Sequence, residues 1–112
     1  VGSPSLQQTW FLRMKIQVVC RHEDIPPVVP SYVREKMEGV KRFGEEFERL
    51  EVILDLKNGE TICEAILHCH RGEPLVARDR SRDPRAAVDG AEARLERQVV
   101  RNKEKQLVEL NI

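Results

Sequence analysis

Two alternating segments joined by a two-residue turn constrain the fold of this chain more than any other feature. Apolar and polar residues alternate from Leu50 to Lys57, and the segment Thr61–His70 repeats the pattern. A period of two is typical of strands with one buried face. Asn58–Gly59 lies between them and is a preferred dipeptide of tight hairpin turns, because both residues tolerate positive φ. The sequence therefore predicts an antiparallel hairpin.

The flanking segments predict a β-α-β-β-β-α order. Lys15–Arg21 and Leu75–Arg80 have strand patterns, and the turn at Arg71–Gly72 precedes the second of them. A helix is predicted to begin between Pro27 and Pro30 and to run to about Phe43. Its apolar residues recur at helical spacing and are Val29, Val33, Met37 and Val40. We expect an α+β fold, a four-stranded sheet with two helices on one face.

The last helix is predicted from Asp83 to about Gln106. Asp83 supplies an N-cap acceptor, and Pro84 suits the first helical position. At roughly 100° per residue, one stripe of this helix is apolar. It comprises Val88, Ala91, Leu95 and Val99. A second stripe is basic and comprises Arg94, Arg97, Arg101 and Lys105. The acids Asp89, Glu92 and Glu96 fall beyond the apolar stripe, away from the basic one.

This sorting of charge is compatible with a polyanionic partner. A helix that needed only solubility would mix opposite charges at spacings of three or four residues. Cations about one turn apart suit a row of phosphates. The alternative is a solvated face whose charges are sorted by chance, and the stripe alone leaves both interpretations open.

The composition narrows the possible functions. The chain has 112 residues, enough for one modest domain, and 19 basic residues balance 19 acidic ones. Because the net charge is zero, nucleic-acid binding must depend on local segregation of charge. Aromatic residues make up only 4% of the chain, which argues against single-strand binding by base stacking.

We predict a flexible extension at residues 1–13 and a single domain at residues 14–110. No apolar run approaches the length that spans a membrane, and the N-terminal stretch lacks the apolar segment of a signal peptide. Three cysteines fit thiols in a reducing compartment. The sequence therefore predicts a cytoplasmic protein.

No catalytic motif is present, and we expect neither enzymatic activity nor a cofactor. The carboxylates are expected to be scattered, with none paired in an apolar setting that would tune acid–base chemistry. On a strand, His68 and His70 share one face while Cys69 points to the other. Two ligands do not complete a zinc site, so no metal is expected. A metal- or redox-responsive protein using these residues is left as an alternative.

Other basic residues gather near the start of the last helix. They are Arg78, Arg80, Arg82 and Arg85. Lys36 falls inside the apolar arc of the first helix, so its ammonium group must extend out at the flank. It is either an ordinary edge lysine or a cation beside the groove between the helices, where a phosphate could bind.

Four segments carry a family resemblance and together cover Met14 to Leu110. They are MKIQVVCRH, SYVREKMEGVKRF, EVILDLKNGETICEAILHCHRG and DPRAAVDGAEARLERQVVRNKEK. In this order they resemble the ribosome hibernation promoting factor and ribosome-associated inhibitor A family, also called sigma-54 modulation or S30EA proteins. The resemblance is to the short form, so the second domain of the long form is not expected.

The resemblance implies a fold like the double-stranded-RNA-binding domain and a function on the ribosome. Family members bind small-subunit rRNA at the decoding region and block the mRNA and tRNA sites in stationary or stressed cells. The implied partner is the small ribosomal subunit and its rRNA, without DNA or membrane, and the free protein is expected to be a monomer. The implied rRNA-binding positions are Lys36, Arg94, Arg97, Arg101, Lys103, Lys105, Arg21 and His22, and the basic junction adds Arg80 and Arg82.

The chain departs from the family pattern at three places. Pro26 stands where a Ser or Thr cap is usual, Pro30 is unusual in the first helical turn, and Pro84–Arg85 replaces a common aromatic.

An alternative function is a protein-interaction module that docks its basic helix on an acidic partner.

Overall fold

The computed structural model describes residues 15–43 and 47–110, with side chains described up to Lys105 except that of Phe43. The predicted extension at residues 1–13 lies outside the described residues. The elements are β1 (Lys15–Cys20), α1 (Val28–Met37), a 3-10 segment (Glu38–Phe43), β2 (Phe47–Lys57), β3 (Glu60–Cys69), β4 (Leu75–Ser81) and α2 (Pro84–Leu110). The predicted order of strands and helices is confirmed.

The four strands form one mixed sheet in the order β1-β2-β3-β4. β1 runs parallel to β2, while β2–β3 and β3–β4 are antiparallel. Val52 pairs with Val18 on one side and with Ala65 on the other, and Ala65 pairs with Ala77. Because directly paired residues point to the same face, these four form an apolar row across the sheet. The predicted α+β class is confirmed.

Both helices pack on that apolar face. Fully buried residues of the sheet lie beneath them and include Leu50, Val52, Leu54, Cys63, Ala65 and Leu67. The helices cover this surface with Val29, Val33, Met37, Ala87, Val88, Ala91, Leu95 and Val99, in one continuous core. Each fully buried Val or Leu contributes roughly 1.5–3 kcal/mol of transfer free energy, so neither helix can rotate without a large loss. The core therefore fixes which face of α2 is exposed.

Three boundaries differ from the prediction by more than one residue. The first helix was expected to reach about Phe43, but it ends at Met37 and continues as the 3-10 segment, which keeps Val40 buried. Such tighter turns are common at helix ends, and Gly39 lowers helix propensity there. β2 begins at Phe47. By strict alternation with Leu50 and Val52 this side chain would point away from the core, but a register shift between Phe47 and Arg49 turns it inward. α2 extends beyond the predicted end to Leu110.

α2 approaches the sheet closely at Gly90. A Cβ built there would overlap the carboxyl group of Asp79 on β4. The glycine therefore allows the helix to lie close to β4 at this point. No helix in the described ranges is both long and apolar enough to cross a membrane.

Gly90→Val should destabilise the fold because the added side chain must displace Asp79. We expect a loss of about 1–3 kcal/mol in the free energy of unfolding, measured by urea denaturation. Ala93→Val, on the same helix, controls for the helix propensity of valine and should cost about 0.5 kcal/mol or less. Equal losses in the two variants would contradict the close approach.

Candidate nucleic-acid interface

The N-terminus of α2 is held by the connection from β4. The Arg85 backbone N–H donates to Asp83 Oδ1 at 3.0 Å, and the Asp83 N–H donates to Ser81 Oγ at 3.1 Å. These bonds satisfy donors that the start of a helix leaves unpaired. The predicted N-cap at Asp83 is confirmed, and together with the buried stripe it sets the rotation of α2.

The exposed cations of α2 form what we term the basic row, Arg97, Arg101 and Lys105. All three side chains are exposed. Arg97 and Arg101 flank a shallow depression in which Val100 is 43% exposed. Neither arginine forms a hydrogen bond or an ion pair with another described residue, so both guanidinium groups face solvent. Lys103, also predicted as a contact residue, is half-buried and lies on the side of α2 opposite the row.

Arg94 is directed toward the sheet. Its Nη1 donates to the carbonyl oxygen of Arg78 at 3.2 Å, and its Nη2 lies 3.8 Å from Asp79 Oδ1. One turn further, Gln98 Nε2 donates to the carbonyl oxygen of Val76 at 2.6 Å. Both side chains thus bond outward-facing carbonyls of β4, an edge strand. Arg94 shares the angular position of the basic row but ties α2 to the sheet.

The acids of α2 line the seam between the two helices. Lys36 Nζ on α1 lies 3.7 Å from Asp89 Oδ1, to which the Tyr32 hydroxyl also donates. Arg42 Nη2 donates to Glu96 Oε1 at 2.9 Å. Lys36 therefore lies at the predicted interhelical groove, with a carboxylate beside it. Because α1 and the 3-10 segment supply the cations for these acids, the positive charge of the basic row is not neutralised by them.

Glu92 lies within the same seam and is only 6% exposed. Burial, then a hydrogen bond with Glu96 and the charge of Glu96, raise its pKa from about 4.5 to about 7. The same hydrogen bond is the main cause that lowers the pKa of Glu96, so the two carboxyl groups share a proton. The expectation that no carboxylates pair in an apolar setting was wrong. Residues four apart on one helix are neighbours, but the sequence could not show that Glu92 is buried in this seam.

The remaining candidates lie at one end of the sheet, on opposite edges. Arg80 Nε on β4 is 3.7 Å from Glu60 Oε1, and Arg82 is exposed in the connection to α2. Arg21 follows β1, and its backbone N–H donates to the Leu54 carbonyl at 2.8 Å. The candidates therefore do not form one continuous patch, because β1 and β4 are the two outer strands.

His22, the last of the predicted contact residues, follows Arg21 and is half-buried. Its Nδ1 accepts a hydrogen bond from the Asp24 backbone N–H at 3.1 Å. It also lies 3.9 Å from a carboxylate oxygen of the same aspartate. The ring is therefore oriented by its own turn rather than toward α2.

The histidines of β3 and its following turn contact acids of β2. His68 Nε2 lies 2.6 Å from Glu51 Oε1, and His70 Nδ1 lies 3.8 Å from Glu48 Oε2. Arg49 also lies within 3.6 Å of Glu51, on the sheet face away from the helices. Among the described residues no group of three or more His, Cys, Asp or Glu side chains is placed to hold a metal ion.

This is a small α+β domain whose core-anchored helix presents exposed cations, a surface that suits a polyanionic partner. The family model described as sigma 54 modulation protein / S30EA ribosomal protein matches residues 16–107. The chain belongs to this family, as its sequence segments predicted.

Curated relatives match over most of the chain. A ribosome hibernation promoting factor from Azotobacter vinelandii is 29% identical over 94 residues, which are 84% of this chain and 87% of the relative. A protein of the same name from Klebsiella oxytoca is 26% identical over 92 residues, 82% of this chain and 96% of the relative.

Solved structures share the fold. The N-terminal domain of Thermus thermophilus Protein Y superposes with a TM-score of 0.67 at 28% identity, covering 79% of this chain and 98% of that one. A ribosomal subunit interface protein from Coxiella burnetii gives a TM-score of 0.70 at 22% identity, covering 81% of this chain and 99% of that one. The second likeness concerns the fold alone.

The shared proton of Glu92 predicts a pH-dependent stability. A pKa raised in the folded state means that the folded protein binds more protons, so this group's stabilisation falls as pH rises from about 4.5 to about 7. A glutamine side chain in its place cannot titrate. From pH 5 to pH 8 the free energy of unfolding of Glu92→Gln should therefore gain about 1–2 kcal/mol relative to wild type.

The measurement is urea denaturation of both proteins at several pH values, with Glu104→Gln as the control. Glu104 is exposed on the same helix and should show no such drift. A constant difference between Glu92→Gln and wild type would contradict the shared proton.

Proposed function

We propose that this protein is a ribosome hibernation factor that binds small-subunit rRNA through the basic row of α2. It occupies the decoding region, where the bulk of the domain excludes mRNA and tRNA. The curated relatives support the ribosomal role by their name, ribosome hibernation promoting factor. The observation that carries the RNA contact is the row itself, since Arg97 and Arg101 face solvent while Asp89 and Glu96 pair with cations of other elements.

The geometry of the row suits a phosphate backbone. Arg97 and Arg101 are four residues apart, which places them about 6 Å apart along the helix axis. Guanidinium groups bind phosphate oxygens through two parallel N–H donors, and a rigid helix holds the groups in place. Because Leu95 and Val99 are fully buried on the opposite side, the row keeps its direction without a partner.

Three other candidates, Lys36, Arg94 and Arg82, are proposed as auxiliary contacts around α2. Lys36 and Arg94 keep half-exposed side chains beside their carboxylate partners, so each can contact RNA as an auxiliary cation. Arg82 lies near the start of α2 and extends the positive surface along the helix. Exposed ion pairs contribute about 0–1 kcal/mol, so exchanging one for a phosphate costs little.

The proposal includes a non-enzymatic, cytoplasmic protein that is monomeric when free and needs no cofactor. The domain at residues 14–110 is proposed to be sufficient for binding. Bound to the decoding region, it acts by steric exclusion, so its effect depends on occupancy rather than on a chemical step.

A second function is favoured by one observation. Val100 is exposed between Arg97 and Arg101, and an apolar side chain framed by cations also suits an acidic amphipathic protein segment. If a partner bound to this protein stays bound after ribonuclease treatment, this alternative is favoured. Loss of that partner would favour rRNA.

Arg97→Ala/Arg101→Ala should weaken binding to small ribosomal subunits. Each lost phosphate contact reduces the slope of log affinity against log salt by about 0.7–0.9, so the double variant should lose about 1.4–1.8. The measurement is co-sedimentation with purified small subunits across a series of salt concentrations.

The matched control is Lys15→Ala/Lys57→Ala. Both cations are exposed, Lys15 at the start of β1, the edge strand opposite β4, and Lys57 at the end of β2. Their loss changes the net charge equally. The control should keep the wild-type slope. Unchanged affinity and slope in the Arg97/Arg101 variant would overturn the assigned interface, and equal effects in both variants would indicate only nonspecific attraction.

A further inference from the structure

The seam between the helices holds three acidic side chains of α2, Asp89, Glu92 and Glu96, and two of them pair with a cation of another described element. Asp89 lies beside Lys36 and Tyr32, and Glu96 is bonded to Arg42. Glu92 forms no ion pair within the described part of the chain, although it is almost completely buried. A buried carboxylate without its own cation is costly, and a proton removes that cost.

The surroundings of Glu92 leave Glu96 as the acceptor of that proton's hydrogen bond. α1 presents Tyr32 and Lys36, the 3-10 segment presents Arg42, and α2 itself presents Asp89 and Glu96. The sheet beneath this part of α2 contributes the apolar core. With Glu92 protonated, the remaining two carboxylates are matched by Lys36 and Arg42, and Arg85 lies over the Tyr32 ring, 5.4 Å from its centroid.

Loss of the proton from Glu92 makes the electrostatic potential around the basic row less positive. Glu96 lies one residue before Arg97 and also lines the depression between Arg97 and Arg101. The negative charge that then appears on the Glu92–Glu96 pair therefore lies within one helical turn of the row. Charges at this distance interact through partly excluded solvent and are only partly screened by salt.

We propose that the Glu92–Glu96 pair makes polyanion binding by the basic row proton-linked, so that uptake of one proton by the pair tightens RNA binding and its loss weakens it. This inference rests on the proposed function. It adds a regulation that neither the family match nor the names of the relatives contain. The midpoint lies near neutral pH, since the pKa of Glu92 is raised to about 7. Bound phosphate should raise it further, by reciprocity.

The test is binding to small ribosomal subunits from pH 6 to pH 8 at constant ionic strength. Wild-type affinity should fall by roughly two- to fivefold more across this range than that of Glu92→Gln, which keeps the neutral form at every pH. At pH 8 the variant should bind more tightly than wild type. All other side chains are the same in both proteins, so the comparison isolates the acid pair.

Two further variants keep the test specific. Glu104→Gln removes an exposed acid from the same helix and should keep the wild-type pH dependence. Glu96→Gln removes the neighbour that favours protonation of Glu92 and should move the midpoint to lower pH. Thermal unfolding of each variant confirms that it is folded.

The outcomes separate the inference from the proposed function. Parallel pH profiles for wild type and Glu92→Gln, with binding intact, would overturn the proton linkage alone. No binding of wild type at any pH would overturn the proposed function and this inference together. A steeper profile for wild type, abolished by Glu92→Gln and moved to lower pH by Glu96→Gln, would establish the linkage.

Discussion

The charged surface of this molecule depends on the burial of one stripe of α2 against the sheet. Val88, Ala91, Leu95 and Val99 are fully buried, and Gly90 lets the helix lie close to β4. This packing fixes the rotation of α2, and the rotation decides which charges face solvent and which face α1. The functional surface is thus a consequence of core packing, since the same helix supplies both.

The charges on the two flanks of α2 differ in whether they form ion pairs. Asp89 and Glu96 meet cations of α1 and the 3-10 segment, whereas Arg97 and Arg101 form no ion pair with a described residue. A chain with zero net charge can in this way present a strongly positive row. Neutral composition therefore does not argue against polyanion binding, provided that tertiary packing sorts the charges.

Much of this arrangement is predictable from local patterns. The alternation of Leu50–Lys57 and the Asn58–Gly59 turn predict the hairpin, and the spacing from Val88 to Val99 predicts the buried face of α2. Both signals act over a few residues, where periodicity and geometry are directly linked. The order of elements and the exposure of Arg97 follow from them.

The features that sequence reasoning missed depend on neighbours distant in the chain. Phe47 turns into the core only because of a register shift against β3. Arg94 has the right angular position for the basic row but finds carbonyl and carboxylate oxygens on β4. Glu92 is buried in the seam that α2 forms with α1 and the 3-10 segment. A helical wheel gives the direction of Arg94 and Glu92 but not their distance to the next element, and a strand pattern does not show where the register of Phe47 shifts.

The proposed binding mode has α2 presenting its basic row to rRNA while the opposite face of the sheet turns away. Cryo-electron microscopy of the protein bound to small ribosomal subunits tests this most directly. We predict density in the decoding region with Arg97 and Arg101 against rRNA phosphates. Density in which the sheet face carrying Glu51 and His68 lies against the RNA, with α2 in solvent, would contradict it.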